Sequence, residues 1–198
     1  FWKTLSVAVA AAQLGNLTVT AGSLATETNV PNFALLDHRG KFHELDYYGR
    51  MEGVKGIALF VQGNGCPLVR KRVPELKRLR NAYQDRGILF GMINANSQDD
   101  RAEIAAEAEE FGIDMPILVD DSQTVAALLG IERTAEIILI SAKTKGIVYR
   151  GAIDDRMTYQ KEKPEASERY FEDALNALLK GEAIAKSLIE APGCKVSL

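Results

Sequence analysis

Apolar residues along the chain fall into two kinds of run, and the difference between them predicts the elements. Gly56-Ile57-Ala58-Leu59-Phe60-Val61 and Gly87-Ile88-Leu89-Phe90-Gly91-Met92-Ile93-Asn94 are unbroken, as in strands covered on both faces of a sheet. Residues 67–85 instead place Leu68, Val73, Leu76, Leu79 and Tyr83 at helical spacing. Pro67 suits a first turn, and Pro74 predicts a kink. Further helices are expected over 100–111 (Ile104, Ala105, Ala108, Phe111), 124–129 before Gly130, and 166–179 (Tyr170, Phe171, Ala174, Leu175, Leu178). Residues 116–120 suit a short strand. Residues 136–141 and 146–150 read as an antiparallel pair, and 33–36 with 41–45 as a hairpin turning at Asp37-His38-Arg39-Gly40. The stretch 47–55 reads as a polar connection. This order predicts an α/β domain over 30–182: a mixed β-sheet flanked by helices, with an N-terminal hairpin and a C-terminal tail, 183–198.

Composition changes that picture little. The 198 residues are 46% hydrophobic with a formal net charge of -3, which gives no reason to expect a nucleic-acid partner. The basic residues are uneven, however, with Arg70, Lys71, Arg72, Lys77, Arg78 and Arg80 crowded after Cys66. Such a cluster is either a solvated helix face or a local field around the thiol. Residues 4–26 carry no charge, follow Lys3 and end in Ser23-Leu24-Ala25 before Thr26. Residues 1–25 therefore resemble a secretory signal, which implies an exported, periplasmic location. The same segment, if retained, would instead anchor the domain or dock it into a membrane complex.

The candidate chemistry sits at Asn64-Gly65-Cys66-Pro67, between the first apolar strand and the basic helix. A helix start favours negative charge, so a cysteine there is a candidate thiolate. Arg70, one turn on, faces the same side and is a candidate charge partner. The second cysteine, Cys194, gives two roles to choose between: a resolving thiol, or half of a structural disulfide. Closing the loop across the 128 residues from Cys66 to Cys194 would restrict the unfolded chain by roughly 4 to 5 kcal/mol. His38 and His43 have no metal-ligand spacing and read as exposed hairpin residues. Nothing in the sequence calls for a cofactor.

Pro31-Asn32-Phe33-Ala34-Leu35-Leu36-Asp37 with Gly40-Lys41, the Cys66-Pro67 step after an apolar strand, Pro74, Gly87 with its strand and the 131–140 segment together resemble the thioredoxin-like redoxin group. That group includes alkyl-hydroperoxide-reductase-type peroxidases and membrane-tethered thiol reductases. The resemblance implies a thioredoxin-like fold, a redox role for Cys66, and a protein thiol, disulfide or peroxide as partner. The chain departs from the group at four places. Val69 stands where the reductases have a second cysteine, and Gly63 and Leu59 where the peroxidases have Thr and Pro. Ala135 occupies the usual cis-proline position, so the Thr134–Ala135 bond is expected to be trans. Arg133 is then the candidate for reaching the thiol in place of the peroxidases' arginine. Three functions follow: a thiol redox enzyme using Cys66 and Cys194, a Cu(I)-handling protein, or a non-catalytic subunit of a membrane or periplasmic complex.

Overall fold

Two long apolar strands set the architecture. In the computed structural model, which describes residues 29–196, β3 (Gly56–Gln62) and β4 (Ile88–Asn94) pair in parallel, Gly56 opposite Ile88 and Gln62 opposite Asn94. A parallel pair requires a crossover, and α2 (Pro67–Tyr83) with a 3-10 turn at Gln84–Arg86 supplies it. Upstream lie the hairpin β1 (Ala34–Leu36) and β2 (Phe42–Glu44), then α1 (Leu45–Arg50). Downstream come α3 (Arg101–Glu110), β5 (Ile117–Val119), α4 (Thr124–Leu129), β6 (Ile137–Ser141), β7 (Ile147–Gly151), α5 (Tyr170–Lys180) and β8 (Leu188–Ile189). The main sheet has six strands in the order β5-β4-β3-β6-β7-β8.

Alternate residues of β3 feed two cores, which is why its sequence is continuously apolar. Ala58 and Phe60 pack with Val69, Val73, Leu76 and Leu79 of α2, Ile104 of α3 and Phe171 of α5. Ile57, Leu59 and Val61 face the other way, toward Val125 and Leu129 of α4 and Val30 and Leu45. Cys66 belongs to the first core, at the end of β3 where α2 begins.

Several expectations are corrected. A six-residue helix, α1, too short to show a periodic stripe, begins at Leu45 in the expected strand and runs into the polar connection. The last helix starts at Tyr170 because the Ser167 and Glu168 N–H groups donate to Asp155 Oδ1, at 2.8 and 3.0 Å. Lys163 and these N–H groups hold the Asp155 carboxyl down at about 2. The tail contributes β8, which pairs with β7. His38 and His43 are buried rather than exposed. His43 lies between Tyr48 Oη and Asp37 Oδ2, 3.0 Å from the carboxylate, while His38 Nδ1 accepts the Ile117 N–H at 3.2 Å.

The basic cluster resolves into pairs. Arg72 is buried on α2 with Asp154, 2.8 Å away. Arg78 meets Glu75 and Glu172, Lys71 meets Glu162, and Arg80 meets Asp114. These pairs turn much of the cluster's charge toward carboxylates along α2.

Candidate active site

Cys66 is the N-cap of α2 and Pro67 its first helical residue, so the sulfur sits over the open first turn. The loop leading to it is held by carboxylates. Asn64 N–H donates to Asp99 Oδ2 at 2.9 Å and Gly65 N–H to Glu107 Oε2 at 2.7 Å. Gly63 has no room to grow, because a Cβ there would lie 2.7 Å from Asn96 Nδ2 and 2.8 Å from Thr134 Cγ2. The peroxidase-type threonine would therefore clash with the existing walls, and the Asn64 and Gly65 amides point into their carboxylates rather than toward an incoming oxidant.

The facing wall is the segment before β6. Ala135 adopts φ +59, a left-handed conformation that is costly for a non-glycine residue, and its N–H donates to Val61 O at 2.8 Å. No cis peptide bond occurs among the described residues, so the Thr134–Ala135 bond is trans as expected. This turn delivers Thr134, which is buried, to the cysteine: its Oγ1 lies 3.1 Å from Cys66 Sγ.

The C-terminal tail closes the site by pairing with the same segment. Thr134 N–H donates to Cys194 O at 2.9 Å, Val196 N–H donates to Glu132 O at 2.9 Å, and Arg133 bridges Lys195 in antiparallel fashion. A Cβ on Gly193 would come within 1.8 Å of Thr134 O, so only glycine permits this approach. The result places Cys194 Sγ 2.9 Å from Cys66 Sγ across a separation of 128 residues, both as free thiols. Cys66 is buried and Cys194 exposed.

The two thiols are electrostatically unequal. Burial pushes the Cys66 pKa up, but hydrogen bonds from Cys194, from Thr134 and from the Val69 and Leu68 N–H groups outweigh it, and the net direction is down. Thr134 can serve both cysteines: its lone pair accepts the Cys194 N–H at 3.0 Å, leaving its single proton for the Cys66 sulfur. Burial raises the Cys194 pKa, and its bond to Cys66 raises it further. The two shifts run in opposite directions, so the site favours negative charge on Cys66 over Cys194.

The arginines are placed differently from the sequence expectation. Arg70 is spent on Glu107 at 3.1 Å and lies over the Phe111 ring, so it acts on the Cys66 thiolate only through space. Arg133 does not reach the thiol; its Nη1 is 3.4 Å from Gly193 O and its guanidinium lies over the Tyr159 ring. Sequence reasoning missed Thr134, Glu107, Asp99 and Tyr159 as parts of the site. Only Thr134 had a local signal, its position beside the substituted proline. Among the described residues no group of three or more His, Cys, Asp or Glu side chains is placed to hold a metal ion, and both histidines sit on the hairpin.

A model of the AhpC/TSA family matches residues 26–155. The chain is 27% identical over 164 residues to thiol-disulfide oxidoreductase ResA of Halalkalibacterium halodurans, covering 79% of this chain and 90% of that protein. ResA of Geobacillus thermodenitrificans is 28% identical over 129 residues, 64% of this chain and 70% of that one. Among solved structures, an uncharacterized conserved protein from Geobacillus kaustophilus superposes with a TM-score of 0.76 at 27% identity, covering 87% of this chain and 91% of the other. A putative thiol:disulfide interchange protein DsbE from Chlorobium tepidum gives 0.59 at 15% identity, over 76% and 95% of the two chains, a likeness of fold. The mixed sheet flanked by helices is thioredoxin-like. The matched region contains β3, Cys66, α2 and the Thr134 wall, and the chain belongs to the AhpC/TSA family.

Proposed function

We propose that this protein is an exported thiol–disulfide oxidoreductase in which Cys66 is the nucleophile and Cys194 the resolving thiol. The observation that carries this reading is the Cys66–Cys194 contact of 2.9 Å together with the opposite directions of the two pKa values. The Cys66 thiolate attacks one sulfur of a partner disulfide, that S–S bond breaks, and the leaving thiolate takes a proton from solvent. Cys194 then loses its proton and attacks the Cys66 sulfur of the mixed disulfide. The second partner thiolate is expelled and protonated. The partner gains two electrons and two protons, and the protein is left with a Cys66–Cys194 disulfide. Run backwards, the same steps oxidise a partner dithiol.

The names of the two ResA relatives support the reaction class, and the signal-like residues 1–25 support export. A peroxide is the less suitable oxidant, since Gly63 cannot be replaced by threonine without displacing Asn96 or Thr134 and the neighbouring amides are occupied. Incubating the reduced protein with a disulfide-bearing protein substrate tests the reading. Wild type is expected to reduce the substrate stoichiometrically, Cys66→Ser to be inert, and Cys194→Ser to be captured as a mixed disulfide through Cys66. Reduction that persists in Cys66→Ser would overturn it.

A further inference from the structure

The tail that carries Cys194 to Cys66 is gripped from its outer side by a residue the sequence does not mark. Tyr159 Oη accepts the Gly193 N–H at 3.1 Å and donates to Gly193 O at 3.2 Å. A phenol has one proton and free lone pairs, so both bonds form together. Tyr159 remains 57% exposed, so burial does not explain its position. Arg133 adds a second contact to each partner, 3.4 Å from the same Gly193 carbonyl and 5.8 Å above the Tyr159 ring. Gly193 is therefore sandwiched between Thr134 and Tyr159.

The arm that presents Tyr159 is itself folded and tied to the helix Cys66 caps. Met157 bridges Glu162, Thr158 N–H donates to Lys161 O at 2.9 Å, and Lys163 N–H donates to Arg156 O at 2.7 Å. Glu162 pairs with Lys71, and Asp154 at the base of the arm pairs with Arg72. Tyr159 and Cys66 thus share α2 as a common frame.

Building on the assignment of Cys194 as the resolving thiol, we propose that Tyr159 is a positioning residue, a latch on Gly193 that sets how often Cys194, and how often an outside disulfide, faces Cys66. While latched, the tail covers Cys66, which is only 5% exposed, and presents Cys194 at high effective concentration. When the latch opens, Cys66 becomes accessible and its internal partner is lost. The latch therefore has opposite effects on two steps: it slows attack by Cys66 on an external disulfide and speeds resolution by Cys194. The family match ends at residue 155, before both Tyr159 and Cys194. Latch and resolving thiol lie together beyond the matched region.

Tyr159→Phe removes the hydroxyl and keeps the ring beneath Arg133, so it tests the latch in the otherwise intact chain. Losing two hydrogen bonds is expected to open the tail about tenfold more often. Cys66 in the reduced variant should then react with iodoacetamide about tenfold faster, and hydrogen exchange at the Cys194 and Val196 amides should rise by a similar factor. Amides of β3 and β4 should exchange at the wild-type rate, which general destabilisation would not allow. Treated with oxidised glutathione, the variant should accumulate Cys66–glutathione mixed disulfide that wild type resolves. Gly193→Ala, which drives the tail away from Thr134, should reproduce these shifts. If Gly193→Ala produces them and Tyr159→Phe does not, the latch is wrong; unchanged alkylation and tail exchange in both variants also overturn it. The underlying assignment fails separately, if wild type and Cys194→Ser accumulate mixed disulfide equally.

Discussion

Two sulfurs 2.9 Å apart are held in place by very different amounts of protein. Cys66 begins α2, whose Val69, Val73, Leu76 and Leu79 are buried against β3 and β4, so its position is fixed by the central core. Cys194 is placed by a short tail whose Gly193, Cys194 and Val196 bond to Tyr159, Thr134 and Glu132. Under the proposed function this division suits two-step exchange: Cys66 stays in place on its helix while the tail carrying Cys194 leaves to admit a partner and returns to expel it.

The sharpest way to break that contrast is to damage the frame. Asp154→Ala leaves Arg72 buried without its partner and is expected to cost about 3–5 kcal/mol of stability in urea unfolding. Leu76→Ala, in the centre of α2, is expected to cost about 2–5 kcal/mol by the same measurement. Tail substitutions such as Gly193→Ala should leave the main unfolding transition nearly unmoved. If they cost as much as Leu76→Ala, the tail is part of the core and the contrast fails.

Thr134→Val is the next largest effect and falls on the junction between the two regions. It removes the hydroxyl that donates to Cys66 and accepts from Cys194 N–H. Cys66 alkylation at pH 7 should slow by about tenfold, with the midpoint of its pH profile moving upward. An unchanged profile would remove Thr134 from the stabilisation of the thiolate.

The pH dependence of stability should show both thiols. Cys66 has its folded pKa lowered, so its contribution is present above the unfolded thiol pKa and is lost as pH falls through the folded value. Cys194 has its folded pKa raised, so its contribution is present below the unfolded pKa and is lost as pH rises through the folded value. The reduced protein should therefore gain stability from these groups up to about pH 8.5, the ordinary thiol pKa, and lose it above. Chemical denaturation across that range should show the rising limb flattened in Cys66→Ser.

The smallest effect is expected at Arg70. Because Arg70 is paired with Glu107 and touches Cys66 only through space, Arg70→Gln should change alkylation of Cys66 by no more than about threefold. A loss as large as that of Thr134→Val would restore Arg70 as the principal partner of the thiolate.

The legibility of the molecule follows the same division. Continuous apolar runs made β3 and β4 evident, helical spacing made α2 and α3 evident, and Gly130 marked the end of α4, where it adopts φ +63. Cys66 was visible because strand, glycine loop and helix-start proline are contiguous in sequence. Its neighbours were hidden because their placement depends on non-local contacts. Arg133 and Arg70 spend their charge on Gly193 and Glu107, partners that sequence spacing does not show. Asp154 lies outside the regular elements and is buried together with Arg72, 2.8 Å away. The Tyr159 hydroxyl meets only the backbone N–H and O of Gly193, which leave no pattern in side-chain polarity. The N-terminal segment, read as a secretory signal or anchor, lies outside the described residues, among which no helix is long and apolar enough to cross a membrane.

In the proposed function Cys66 and Cys194 exchange a disulfide as a pair. The most direct test is peptide mapping of the protein after brief exposure of the reduced form to equimolar oxidised glutathione at pH 7. The predicted product in wild type is a single linked species joining the Cys66 and Cys194 peptides, with glutathione retained on Cys66 only in Cys194→Ser. Glutathione retained on Cys66 in wild type, with Cys194 still open to alkylation, would contradict it.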